Sequence, residues 1–152
     1  MTETSDAALS PLEAEHATHL IVAASRFVRA ASRHRGRERS AIVLRTLSNL
    51  SLSGPMRIGD LAQAEHITQP TMTGVVQRLE AEGLLRRTSD PSDGRAWLMA
   101  VTPAGIEVLD DFRDRAAARV RPALAHLDDE DRKALWAAAD LLEKVTEELD
   151  EY

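Results

Sequence analysis

The chain contains no cysteine, which removes disulfides, thiolate metal sites and thiol-based redox switching from consideration. Aromatic residues make up only 3% of it, so a core must be assembled from Leu, Val, Ile and Ala, a composition that suits helices. No apolar run approaches the ~20 residues of a membrane-spanning helix. The N-terminal stretch MTETSDAALSP is acidic and polar, unlike a secretory signal. These absences predict a soluble, cytoplasmic chain. Missing as well are a glycine-rich phosphate loop, a nucleophile elbow, a His-Glu-x-x-His pair and paired catalytic carboxylates, so neither enzymatic chemistry nor a cofactor is expected. Lysine is scarce too: seventeen of the nineteen basic residues are arginine, whose planar fork favours bidentate contact with phosphates and base edges.

What is present fits one domain, or one core with helical arms: 152 residues, 43% of them hydrophobic. The net charge of −6 is unevenly spread. Residues 1–25 hold four acids and no Lys or Arg, whereas residues 26–45 hold seven arginines against Glu38 alone. Residues 57–95 are close to neutral, with five arginines and six acids, and residues 103–152 carry fourteen acids against seven bases. The acidity therefore belongs to the terminal arms, and the sign of the total says little about the centre.

Local signals divide the chain into helices and one hairpin. Ser10 caps a first helix with Pro11 at its first position. Leu12, Leu20, Ile21, Ala24, Phe27, Val28 and Ala31 form one stripe on it, which is expected to end near Arg33 with Gly36 as the break. Ser40 opens a second helix over 41–51, burying Ile42, Val43, Leu44, Leu47 and Leu50. Met56-Arg57-Ile58 is long enough for a one-bridge strand. Gly59–Glu65 is a short helix, His66-Ile67 a turn, and Thr68 caps a helix over 69–82 that tolerates Pro70 in its first turn and ends at Gly83. Residues 84–102 read as a β-hairpin, because Asp90-Pro91 and Asp93-Gly94 are turn signals between two apolar runs. A further helix runs from Thr102 or Pro103 to about Arg121, where Pro122 interrupts it. Asp128 caps the last, with Leu135, Ala138, Leu142, Val145 and Leu149 on one side.

A short helix, a tight turn and a second helix put the N-terminal residues of the second helix into a major groove. Here those residues are Thr68, Gln69, Pro70, Thr71, Met72 and Thr73. Gln69 suits bidentate pairing with adenine, the threonine hydroxyls suit bases or phosphates, and Gln77 and Arg78 fall further along, where backbone is reached. Val75 and Leu79, with Ala62 and Ile67, are expected in the core. A hairpin following such a unit is a wing. Arg95 at its tip suits the negative potential of a minor groove, with Arg86 and Arg87 adding local positive charge. Asp93 is placed to hold the side chain of Arg87 or Arg95.

Asp-Leu-Ala (60–62), Gln-Pro-Thr-Met-Thr (69–73), Leu-Glu-Ala-Glu-Gly-Leu-Leu-Arg-Arg (79–87), Asp-Pro-Ser-Asp-Gly-Arg (90–95) and Val-Thr-Pro-Ala-Gly (101–105) together resemble the MarR family of bacterial transcriptional regulators, in the family's order and over nearly the whole chain. The resemblance implies a mainly α fold with a small β-hairpin wing. In it, a winged helix-turn-helix over 37–103 is flanked by helical dimerisation segments at 1–36 and 104–152. It further implies a homodimer on a pseudo-palindromic double-stranded DNA operator, usually repressive and released by a small anionic or phenolic effector. The turn departs from the family by carrying His66 where glycine is frequent, although histidine is one of the residues that tolerates positive φ.

Two other roles are compatible with the residues. His16 and His19, three apart on the first helix near Glu13 and Glu15, have the spacing of a metal-responsive pair, but solvated or interface histidines account for them better and no metal is expected. The near-neutral centre also suits a winged helix used only for protein contact. An anionic effector would be served by Arg29, Arg33 or Arg45, which could equally face phosphates.

Overall fold

The structure is a computed structural model that describes residues 10–33 and 39–150. It orders the chain as α1 (Pro11–Ala31), α2 (Ala41–Leu52), α3 (Ile58–Ala64), α4 (Gln69–Ala81), β1 (Leu85–Asp90), β2 (Asp93–Val101), α5 (Pro103–Leu124) and α6 (Asp129–Asp150). It is mainly helical, with one two-stranded antiparallel hairpin. None of the described helices is long and apolar enough to cross a membrane. The residues cluster into two units: an inner one over 34–115, and an outer one made of 1–33 and 116–152.

The inner unit holds the core. Val43, Leu47 and Leu50 of α2, Leu61 and Ala62 of α3, and Met72, Val76 and Leu79 of α4 pack with Leu84, Leu85 and Met99 of the hairpin. Ile42 and Val75 are only partly buried against this cluster, and Thr46 is fully buried in their place, its hydroxyl donating to the Ile42 carbonyl at 2.8 Å. Met56 exchanges backbone hydrogen bonds with Met99, at 3.1 and 2.8 Å, as the expected single bridge. His66 adopts φ 52° at the turn between α3 and α4, and Gly83 takes φ 73° where α4 ends. Leu84 N donates back to the Leu79 carbonyl at 2.9 Å there, which turns the chain into β1. The inner unit also takes the first turns of α5, where Gly105 and Leu109 are buried.

In the outer unit, Ser10 and Glu13 form a reciprocal capping box at the start of α1. The helix ends at Ala31, two residues short of Arg33; Gly36, the expected break, lies outside the described residues. Asp128 Oδ1 accepts from Asp131 N at 2.8 Å and caps α6. Contrary to the sequence expectation, Pro122 does not interrupt α5, which continues to Leu124. Near a helix end, proline removes a single i→i−4 bond and leaves few turns to disturb. Arg119 Nε donates to the Ala30 carbonyl at 2.7 Å, joining the end of α5 to the end of α1.

Candidate nucleic-acid interface

Which residues of α4 face outward depends on how the helix is anchored. Thr68 Oγ1 accepts from Thr71 N at 3.4 Å and lies 2.8 Å from the Thr71 hydroxyl, so the N-cap is closed by side chains. Met72, Val76 and Leu79 recur at helical steps and are fully buried, which locks one face of α4 into the core. Helical periodicity carries Pro70, Gly74 and Gln77 to the opposite side and Thr73 to its flank, while Gln69 opens the first turn. Of these, Gln69, Pro70, Gly74 and Gln77 are exposed and Thr73 is half-buried, its hydroxyl donating to the Gln69 carbonyl at 2.8 Å. Met72 is thereby a core residue, and its place among the expected groove-facing residues is corrected. Its sulfur lies 3.9 Å from the hydroxyl of Thr46, a contact with α2 that no local spacing discloses.

The cations near α4 divide into held and unheld. Arg78 Nε pairs with Glu82 Oε1 at 2.9 Å, and Arg39 pairs with the other oxygen of the same carboxylate. These two guanidinium groups, Arg39 foremost, hold the Glu82 carboxyl below its ordinary range. Arg87 forks onto both oxygens of Glu80, at 2.7 and 2.9 Å, tying β1 to α4. Arg86 and Arg95 are exposed and have no acid partner among the described residues. Arg78 and Arg87 would have to leave these acids to meet a phosphate. Arg86 and Arg95 are available without competition.

The wing differs from expectation at its tip. Pairing runs from Leu85↔Val101 to Ser89↔Trp97 and then jumps to Asp90↔Asp93. The turn residues are therefore Pro91 and Ser92, at the first of the two turn signals, while Asp93 and Gly94 already belong to β2. Gly94, Arg95 and Ala96 stand opposite no residue of β1, so Arg95 is displayed on a bulge just past the tip. Asp93 does not hold a guanidinium: its Oδ1 accepts from the backbone N of Arg95 at 3.0 Å. The acid that grips an arginine is Asp90, and the arginine is Arg57, at 2.8 and 2.5 Å. Ser92, which donates to Asp90 through both N and Oγ, and then Arg57 bring the Asp90 carboxyl down to about 2. An Asp before proline with serine two residues on was a legible turn signal; Arg57, distant in sequence, was not.

A second buried acid also escaped the sequence reading. Glu65, at the end of α3, accepts from Arg45 Nε at 2.6 Å and Asn49 Nδ2 at 2.8 Å, fastening the turn before α4 to α2. Arg45 is thus engaged within the inner unit, while Arg29 and Arg33 are exposed in the outer one. The outer unit has a cavity of about 620 Å³ lined by Phe27, Val120, Leu124, Trp136, Arg121 and Arg132 among others; none of those three arginines lines it. His16 and His19 are exposed, and no group of three or more metal-ligating side chains gathers among the described residues.

Residues 43–97 match the sequence profile of the MarR family. An HTH-type transcriptional regulator of Mycobacterium tuberculosis is 33% identical over 105 residues, 69% of this chain and 73% of that protein. The chain belongs to the MarR family. It is a DNA-binding transcriptional regulator, not an enzyme, and this MarR protein has a winged helix-turn-helix fold. Among solved structures, a transcriptional regulator of Thermotoga maritima superposes with a TM-score of 0.69 at 26% identity, covering 90% of this chain and 99% of that one. Bordetella bronchiseptica BpsR, whose DNA binding is regulated by 6-hydroxynicotinic acid, superposes with a TM-score of 0.54 at 27% identity, covering 86% and 91%.

Proposed function

We propose that this MarR protein binds a pseudo-palindromic operator as a homodimer, represses transcription there, and is released by a small anionic or phenolic effector. Each subunit would lay α4 in a major groove and its wing along the neighbouring minor groove. One observation carries the reading: Gln69, Pro70 and Gln77 are exposed, with Thr73 half-buried beside them, on a helix whose other face is fixed in the core, and this helix adjoins a hairpin that presents Arg86 and Arg95, exposed and without an acid partner among the described residues. Thr68 and Thr71 supply hydroxyls at the helix start, Arg78 and Arg87 supply phosphate contacts on exchange of their acids, and Asp93 shapes the backbone that carries Arg95.

The helical segments 1–36 and 104–152 are read as the dimerisation region. Among the described residues α1 buries none, and Ile21, Phe27, Val28, Trp136, Leu141, Val145 and Leu149 are all exposed in the single chain. Apolar surface on this scale is removed by a second copy using the same patch. Effector control is supported by the ligand named for BpsR and by the exposed cations Arg29, Arg33 and Arg45; at Arg45 an anion would compete with Glu65.

Fluorescence anisotropy with a labelled duplex from upstream of its own gene tests the core of this reading. Binding should weaken steeply with salt as phosphate contacts release counterions. No salt-sensitive binding to that duplex, or to any duplex of a random library, would remove DNA recognition from the proposal. Sedimentation of the same protein reports the dimer separately.

A further inference from the structure

The hairpin is fastened at two places. At its base, Met56 and Met99 exchange backbone hydrogen bonds, and Thr102 Oγ1 donates to the Gly83 carbonyl at 2.7 Å. Towards the tip, Arg57 reaches Asp90, 33 positions away in sequence. Arg57 is the N-cap residue of α3 and follows Met56 directly. Its Nε and Nη2 both donate to Oδ2 of Asp90, at 2.8 and 2.5 Å, while Oδ1 accepts from Ser92 N at 2.8 Å and Ser92 Oγ at 2.6 Å. Four donors thus saturate a carboxylate on a residue that is 6% exposed. Asp90 is also the position at which strand pairing becomes irregular. An isolated two-stranded hairpin is marginal, and nothing in its own ladder fixes where such a tip points.

We propose that Arg57 and Asp90 are positioning residues for DNA binding: their fork ties the wing tip to the start of α3 and holds Arg95 at a set offset from α4. The link is continuous. Arg57 grips Asp90, Asp90 fixes the turn residue Ser92, and the next residue, Asp93, accepts from the backbone of Arg95 at 3.0 Å. Direct phosphate contact by Arg57 is the weaker account, because two of its donors already face a carboxylate that neutralises its charge. Arg95 touches DNA in this scheme; Arg57 and Asp90 act through it.

The inference rests on the wing being a DNA contact, and the test separates the two. Anisotropy titrations of the upstream duplex would compare wild type with Arg95→Ala, Asp90→Asn, Arg57→Gln, Arg57→Lys and the Arg57→Gln/Arg95→Ala double variant, with thermal melts of each. Charge alone says that deleting an acid beside DNA tightens binding; positioning says the reverse. Asp90→Asn and Arg57→Gln should each weaken binding by about tenfold, comparable to loss of a specific arginine contact. Arg57→Lys should recover part of the loss. Arg57→Gln should add little once Arg95 is gone, because the two act as one unit. Ser92→Ala keeps the Arg57 fork, so it should weaken binding less than Asp90→Asn and serves in its place if that variant does not fold. Tighter or unchanged binding by Asp90→Asn, or full additivity in the double variant, overturns the proposal. A silent Arg95→Ala overturns the wing reading and the clamp together. A damaging Arg95→Ala beside silent Arg57→Gln and Asp90→Asn overturns the clamp alone.

Discussion

Gly105 in the first turn of α5 lies against the backbone of Leu84: a Cβ built on it would stand 2.4 Å from the Leu84 carbonyl oxygen and 2.7 Å from Val101 Cγ2. The same carbonyl accepts from Thr102 N at 3.0 Å, and Thr102 Oγ1 accepts from Gly105 N at 3.2 Å. The end of α4, the base of the wing and the start of α5 therefore meet where there is no room for a methyl group. A backbone oxygen cannot rotate away as a side chain does. Gly105→Ala gains about 1 kcal/mol of helix propensity but should still destabilise the protein, by about 1–2 kcal/mol net, as overpacking in a core does. Urea unfolding of the two proteins measures this; equal midpoints would show that the junction relaxes freely.

Arg95→Ala should weaken operator binding by about 1–3 kcal/mol, the range for a specific arginine contact, without changing the oligomeric state. The side chain is exposed, lies on a bulge opposite no β1 residue, and has no acid partner among the described residues. Its removal therefore costs the fold little. Anisotropy and sedimentation on the same sample separate the two effects, and wild-type affinity in the variant would leave the wing without a role in binding.

Gln69→Ala and Thr71→Ala should change which sequences are bound, rather than weaken all DNA equally. Gln69 is exposed in the first turn of α4, and Thr71 is exposed beside the N-cap. Selection from a randomised duplex library reads the preference directly. A uniform loss across the library would reassign both residues to backbone contact.

The Asp90 carboxyl, at about 2 when folded against an ordinary value of 3.8, makes a definite prediction about acid. A carboxyl with a depressed folded value stabilises the native state above its unfolded value and loses that contribution as pH falls through the folded one. The stability difference between wild type and Asp90→Asn should thus be constant above about pH 4 and shrink between about pH 4 and pH 2. Unfolding midpoints of both proteins over that interval test it. A difference that stays level to pH 2 would mean that the Ser92 and Arg57 contacts do not favour the charged form.

Val145→Glu should shift the protein from dimer to monomer while leaving the inner unit folded. Val145 is 56% exposed in the single chain and belongs to the apolar stripe of α6, so the substitution costs little in a monomer. At a self-complementary interface the two-fold operator places the new charge in both copies. Sedimentation equilibrium gives the state, and an unshifted dimer would move the interface away from this face of α6.

Much of the frame follows from local chemistry and was legible for that reason. Ser10 with Glu13, Thr68 before Pro70, Asp128 before three acids, and Gly83 after α4 are each signals that a helix end reads from its immediate neighbours. His66 at positive φ and the Met56 bridge are local in the same sense. Pro122 apart, what misled was a contact from elsewhere. Met72 shares a sequence run with groove-facing residues, but α2 buries it. Asp93 precedes Arg95 as a natural partner, yet Asp90 takes the arginine grip because Arg57 arrives from α3. Glu65 is buried because Arg45 and Asn49 of α2 reach it, which nothing near it in sequence discloses.

The sequence by itself determined the order of elements, the caps, the winged helix-turn-helix and the family, because periodicity, capping and turn chemistry act over a few residues. Tertiary structure alone decided which arginines are free. Of Arg57, Arg78, Arg86, Arg87 and Arg95, helical spacing sets Arg78 one turn before Glu82, but no local spacing shows that Arg57 and Arg87 are held by acids. Packing brings Asp90, Glu82 and Glu80 against three of them and leaves Arg86 and Arg95 exposed without an acid partner among the described residues. An ion pair needs two groups within a few ångströms, and only the folded chain sets that distance.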